Sequence, residues 1–97
     1  MRVISNRTLR DFYLLHADAE GPLRAWFSEA KRAGWLSPQD IKSRYAHASI
    51  LPGNRVVFNI GGDKYRLVCQ IHYDRGIVYA RFVGTHAEYD RIDAETI

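Results

Sequence analysis

Four residues near the C-terminal end have the types and spacing for acid–base and phosphate chemistry: Arg66, Arg81, His86 and Tyr89. Tyr89 and Asp90 follow His86 at i+3 and i+4, so one helix would carry them on one side. A histidine with a tyrosine and two arginines can cut RNA without a metal. One group takes the proton of a ribose 2′-OH, the arginines hold charge on the pentacoordinate phosphate, and another group protonates the leaving oxygen. The plain alternative for His86 is a helix-opening residue bonded to a neighbour; for Tyr89 it is core packing. His86 and Asp90 also have metal-ligand spacing, but two ligands are too few and no Cys or further His joins them. No Walker-type phosphate loop and no Gly-x-Ser-x-Gly motif is present.

These residues need a sheet to gather them. After Arg55 the pattern alternates. Val56, Phe58 and Ile60 predict one strand, Tyr65, Leu67, Cys69, Ile71 and Tyr73 the apolar side of a second, and Val78, Ala80 and Phe82 a third. Gly61-Gly62 and Arg75-Gly76 read as hairpin turns. That register pairs Phe58 with Tyr65, Val56 with Leu67, Tyr73 with Val78, Ile71 with Ala80 and Cys69 with Phe82. It leaves Val57, Asn59, Lys64, Arg66, Val68, Gln70, His72, Tyr79, Arg81 and Val83 on the opposite face, leading to Thr85 and His86. Gln70 would lie opposite Arg81, and His72 opposite Tyr79. Such a face suits single-stranded RNA, phosphates on arginine and bases on rings, although any solvated sheet face is polar. Lys64, Gln70, His72 and Tyr79 are therefore the candidate RNA-holding residues.

The first half is helical. Arg2-Val3-Ile4 is a short candidate strand that would join the sheet edge. Ser5 or Asn6 can cap a helix carrying Leu9, Phe12, Tyr13 and His16, ended by Gly21. Pro22 suits the first turn of a second helix, whose stripe is Leu23, Trp26, Phe27 and Ala30, stopped at Gly34. Ser37-Pro38 opens a third with Ile41 and Tyr45. Pro52-Gly53-Asn54 is a turn, and Thr85-His86-Ala87-Glu88 is a capping box that starts a last short helix. The expected class is α+β: an N-terminal strand and helices packed on one face of an antiparallel meander, with a short C-terminal helix, in one domain over residues 1–97.

Bulk properties bound the rest. The 97 residues carry a formal net charge of +3, a modest value and by itself weak evidence for a nucleic-acid partner. Eleven of the fourteen basic residues are arginine, the residue that grips phosphate bidentately and stacks on bases; a GC-rich genome would favour arginine equally. One cysteine, Cys69, excludes an internal disulfide. No apolar run reaches the length of a membrane span and the N-terminus turns polar too soon for a signal peptide, so a cytoplasmic location is expected. The helix from Leu23 to Ala33 is basic near its end, but its stripe belongs to the core, which disfavours direct DNA binding.

The stretch Arg55-Val56-Val57-Phe58-Asn59-Ile60-Gly61-Gly62-Asp63-Lys64-Tyr65-Arg66-Leu67-Val68, with Tyr79-Ala80-Arg81-Phe82-Val83-Gly84-Thr85-His86-Ala87-Glu88-Tyr89-Asp90, resembles the HigB toxin family. Its order and spacing carry the signature. HigB proteins are similar to the RelE superfamily of type II toxins. The resemblance implies a metal-independent endoribonuclease without a cofactor, cutting mRNA, typically on the ribosome, and so inhibiting translation. It implies helices on one side of an antiparallel sheet and RNA on the other. It also implies a helix-turn-helix antitoxin of the HigA type, through which alone the toxin would meet operator DNA. The family's recurring polar positions fall on Arg66, Arg81, His86 and Tyr89; Lys64 rests on the face reading alone. Which of His86 and Tyr89 is base or acid stays open. The competing reading is a binder without chemistry, docking on RNA, the ribosome or the antitoxin.

Overall fold

The computed structural model describes residues 1–97. Strand β1 (Arg2–Ile4) leads into helix α1 (Asn6–Leu15), and a single 3-10 turn (Ala17–Ala19) leads into α2 (Glu20–Arg32). Helix α3 (Pro38–Arg44) comes next, then strands β2 (Ser49–Leu51), β3 (Arg55–Ile60), β4 (Tyr65–His72) and β5 (Ile77–Thr85), and the short helix α4 (His86–Tyr89). The α+β class is as expected. The sheet is larger than a three-strand meander: its order is β1-β5-β4-β3-β2, with β1 parallel to β5 and the other pairs antiparallel.

Local chemistry accounts for two of the helix starts. Pro38 stands in the first turn of α3, where its missing N–H costs nothing. Thr85 and Glu88 complete a reciprocal capping box around α4. Ser5 precedes α1 in a left-handed conformation, φ 75°, and its side chain makes no cap bond. Gly21 does not end a helix as expected; it lies in the first turn of α2, and the break comes earlier, at His16. Strand β2 was not legible because its Ile50 and Ser49 are exposed and it spans only Ser49–Leu51.

The helices cover one sheet face. Leu9 of α1, Leu23, Trp26 and Ala30 of α2 and Ile41 of α3 meet Val56, Phe58, Leu67, Cys69, Ile71, Val78 and Ala80 in one buried cluster. Phe58 is its hub, with the rings of Tyr45, Trp26 and Trp35 centred 5.1, 5.3 and 6.0 Å away. Offset and edge contacts at such spacing add to the burial itself. Burial also pushes the Cys69 thiol up, so it stays protonated and inert.

Both hairpin registers differ from the expected ones by two residues. Ile60 pairs with Tyr65 and Phe58 with Leu67; Ile71 pairs with Val78 and Cys69 with Ala80. Each loop therefore has four residues rather than two. An even shift preserves the faces, so most of the facing expectations survive. The first loop is set by Asp18, whose carboxylate accepts hydrogen bonds from both the Lys64 ammonium and the Tyr65 hydroxyl.

The β4–β5 ladder is broken between Val68 and Cys69. Cys69 pairs with Ala80, but Val68 pairs with Phe82, leaving Arg81 as an extra residue. This β-bulge reverses the facing of the residues beyond it on β5. Phe82 joins Val68 on the second face, and Val83 packs toward the main core. The expectation that Phe82 faces the helices and Val83 the polar side is corrected on this ground.

Candidate functional site

The second sheet face is only partly open. Val57 and Val68 are buried in a small second cluster with Ala94, against which Leu51, Phe82, Tyr89 and Ile92 pack. The segment after α4 thus crosses the middle of the face. Arg55, on the same face, is buried and donates to the backbone oxygen of Ile97. Two polar zones remain beside this cover.

The first zone is at the β4–β5 loop end. Gln70 pairs with Tyr79 in the ladder, and His72 with Ile77, not with Arg81 and Tyr79 as expected. The contacts are nonetheless made on the diagonal. Arg81 Nη2 donates to Gln70 Oε1 at 2.8 Å, and its Nε reaches the same oxygen at 3.3 Å. The His72 and Tyr79 rings meet edge-on, centroids 5.2 Å apart. The Arg81 guanidinium also lies 5.5 Å from the Tyr79 ring centre. Gln70, His72, Tyr79 and Arg81 therefore form one assembled cluster. Such diagonal contacts are within reach in an antiparallel pair, and the bulge at Arg81 adjoins them, as bulges often do beside active sites. A sequence signal existed, because consecutive apolar Phe82-Val83 interrupts strict alternation.

The second zone is at the other end of β4. Arg66 faces Gly84 across the ladder, and His86 stands two residues beyond Gly84. Arg66 Nη1 donates to the Asp63 carbonyl at 2.9 Å, toward the β3–β4 loop and away from Arg81. The two arginines thus share a face, but their guanidiniums do not converge on one point in the free chain. Arg66 and Gln70 are four residues apart on the strand, about 13 Å at strand rise. Such separation fits two contacts along an extended polyanion better than two on one atom.

His86 opens α4 with half of its side chain exposed, and its Nδ1 lies 3.3 Å from Asp90 Oδ2. A carboxylate on one ring nitrogen orients the imidazole and leaves Nε2 for substrate. Sequence spacing places Asp90 on the same helix side as His86, and the contact made is with the histidine itself, the neighbour bond of the plain alternative. Tyr89 is partly buried against the second apolar cluster, so core packing accounts for most of its side chain. Lys64 is not on this face. It lies in the β3–β4 loop, where its ammonium pairs with Asp18 on the helix side and sits 5.9 Å from the Tyr65 ring centre. The face reading of Lys64 failed because loop residues do not keep strand alternation.

Gly84 lets these pieces approach. A Cβ there would meet the Phe82 ring at 2.5 Å and the Glu88 Cβ at 3.2 Å. The missing side chain seats α4, and hence His86, against the sheet. Glu88, whose carboxylate accepts the Thr85 N–H at 2.8 Å, has its carboxyl held below the ordinary range by that bond.

The sheet has helices on one face and a basic, ring-bearing cluster on the other, the layout that the family resemblance implies. A family model described as the HigB toxin, RelE-like toxic component of a toxin-antitoxin system, matches residues 19–92. The chain belongs to this family. Its curated relatives include the mRNA interferase toxin HigB of Escherichia coli (strain K12) and the mRNA interferase HigB of Shigella flexneri. Each is 25% identical over 92 residues, covering 93% of this chain and 88% of the relative. As a toxin of a toxin-antitoxin system it has an antitoxin for its partner. No helix is long and apolar enough to cross a membrane.

Proposed function

We infer that this toxin is an endoribonuclease that cleaves mRNA on the ribosome and so inhibits translation. The observation that carries the reading is the assembled cluster of Arg81, Gln70, Tyr79 and His72, on the same sheet face as Arg66 and beside the helix that presents His86. The names of the relatives support the reaction class.

In this reading the RNA lies along the face. Arg81, fixed by Gln70 and backed by the Tyr79 ring, binds a phosphate and takes charge as the pentacoordinate species forms. His72 and Tyr79 offer rings to a base. Arg66 leaves the Asp63 carbonyl for a neighbouring phosphate. His86, oriented by Asp90, exchanges the proton, either from the attacking 2′-OH or to the leaving 5′ oxygen. Tyr89 mainly seats α4. Lys64 contributes through the loop it fixes rather than by touching RNA. The antitoxin is of the helix-turn-helix HigA type and acts on DNA for the pair.

Induced expression in bacteria tests this. Wild type should arrest growth, and Arg81→Ala and His86→Ala should relieve the arrest while remaining folded. Arrest that persists in both folded variants would remove the site assignment.

A further inference from the structure

A cleft of about 450 Å³ opens between the α3–β2 turn and the β3–β4 loop, lined by Arg44, Tyr45, His47, Asn59 and Asp63 among others. That size falls within the range of small-ligand sites, about 300–1,000 Å³. None of these residues takes part in the cleavage chemistry assigned to Arg81 and His86.

The turn carrying His47 is held in place. The Lys42 ammonium donates to the Ala46 and Ala48 carbonyls at 2.7 and 2.8 Å, and the Ala48 N–H donates to Tyr45 O at 3.0 Å. The exposed His47 ring is therefore presented from a clamped loop. Across the cleft, Asn59 is half-buried on β3.

Two links join the cleft to the candidate site. Asn59 is the ladder partner of Arg66, which places their side chains next to one another on one face. Arg66 Nη1 also bonds the carbonyl of Asp63, itself a wall of the cleft. A chain whose phosphate meets Arg66 would have its adjacent nucleotide at this opening.

The lining has the parts that recognise an unstacked base: an imidazole ring to stack on, and an amide with both donor and acceptor for a base edge. Arg44 adds a cation, already paired with Glu29, so the cleft favours a base over a second phosphate. We propose that the cleft is a nucleotide subsite, holding a base of the same mRNA next to the cleaved bond, stacked by His47 and read by Asn59. The proposal rests on the mRNA-cleaving reading and adds a specificity determinant to it.

The test is a map of mRNA 5′ ends in cells expressing the full chain. Wild type should show a base preference at one fixed position beside the cut. His47→Ala, which removes the stacking ring, and Asn59→Ala, which removes hydrogen bonds to the base edge, should each flatten it at that position by about tenfold and leave other positions unaltered. Arg81→Ala should instead lower the number of cuts without moving them. If both variants fold and keep the wild-type frequencies everywhere, the subsite is overturned. Should Asn59→Ala fail to fold, His47→Ala on its exposed turn decides alone. A wild type that makes no cuts overturns the cleavage reading itself, and the subsite with it.

Discussion

Arg81 reaches past its own ladder position to hydrogen-bond Gln70 at 2.8 Å, although the residue paired with Gln70 is Tyr79. This diagonal contact, beside the bulge, fixes a guanidinium on the face where RNA would lie. Arg81→Lys keeps the charge but loses the planar fork and its contact with the Tyr79 ring. The expected outcome is a loss of cleavage rate of about a hundredfold or more for Arg81→Ala, the scale of one lost transition-state donor. Arg81→Lys should recover only part of it. Gln70→Ala should fall between Arg81→Lys and wild type. Equal rates for Arg81→Lys and wild type, measured on one mRNA, would show that the fork geometry is irrelevant.

Gly84 is the seat of α4. Gly84→Ala puts a Cβ into the Phe82 ring, so the ring or the helix must move. Overpacking of this kind costs about 1–3 kcal/mol. Thermal or urea denaturation should show that loss, and activity should drop further because His86 rides on the displaced helix. An unchanged midpoint would mean that Phe82 swings away freely.

Thr85→Ala removes one half of the capping box. The expected loss is about 0.5–2 kcal/mol. Because α4 is a single turn, cleavage should fall more than global stability does. Thr85→Ser, which keeps the hydroxyl, should restore both. If Ser does no better than Ala, the cap bond is not what positions His86.

Asp18 ties the 3-10 turn to the β3–β4 loop. Hydrogen bonds from Lys64 and then Tyr65 hold its carboxyl below the ordinary value of 3.8. A depressed folded-state value gives stability that is present above 3.8 and lost as the pH falls through the folded value. Asp18→Asn should therefore be less stable than wild type at neutral pH, and the gap should close on acidification. Denaturation midpoints at a series of pH values check this. A gap of constant size at every pH would contradict the linkage.

Apolar spacing and alternation made the helices, the long strands and the covered face legible. Leu23, Trp26 and Ala30 lie where the stripe put them, and Leu67, Cys69 and Ile71 point inward as the period of two required. Loop length escaped because two glycines can close a turn of two residues or sit inside one of four. The Asp18 contact that distinguishes them spans 46 positions to Lys64. The bulge escaped because alternation assumes one residue per pair, and so Phe82 and Val83 exchanged faces. The cover over Val57 and Val68 escaped because Ile92 and Ala94 come after a capped helix with no period of their own. Arg55, Val56, Val57 and Phe58 are all buried, which is what a strand covered on both sides looks like.

The most direct test of mRNA cleavage by this face is a map of mRNA ends from translating ribosomes supplied with this protein and with Arg81→Ala. Discrete cuts with wild type and their loss with Arg81→Ala are the predicted result. Arrested translation on intact mRNA would contradict it and leave a toxin that binds without cutting.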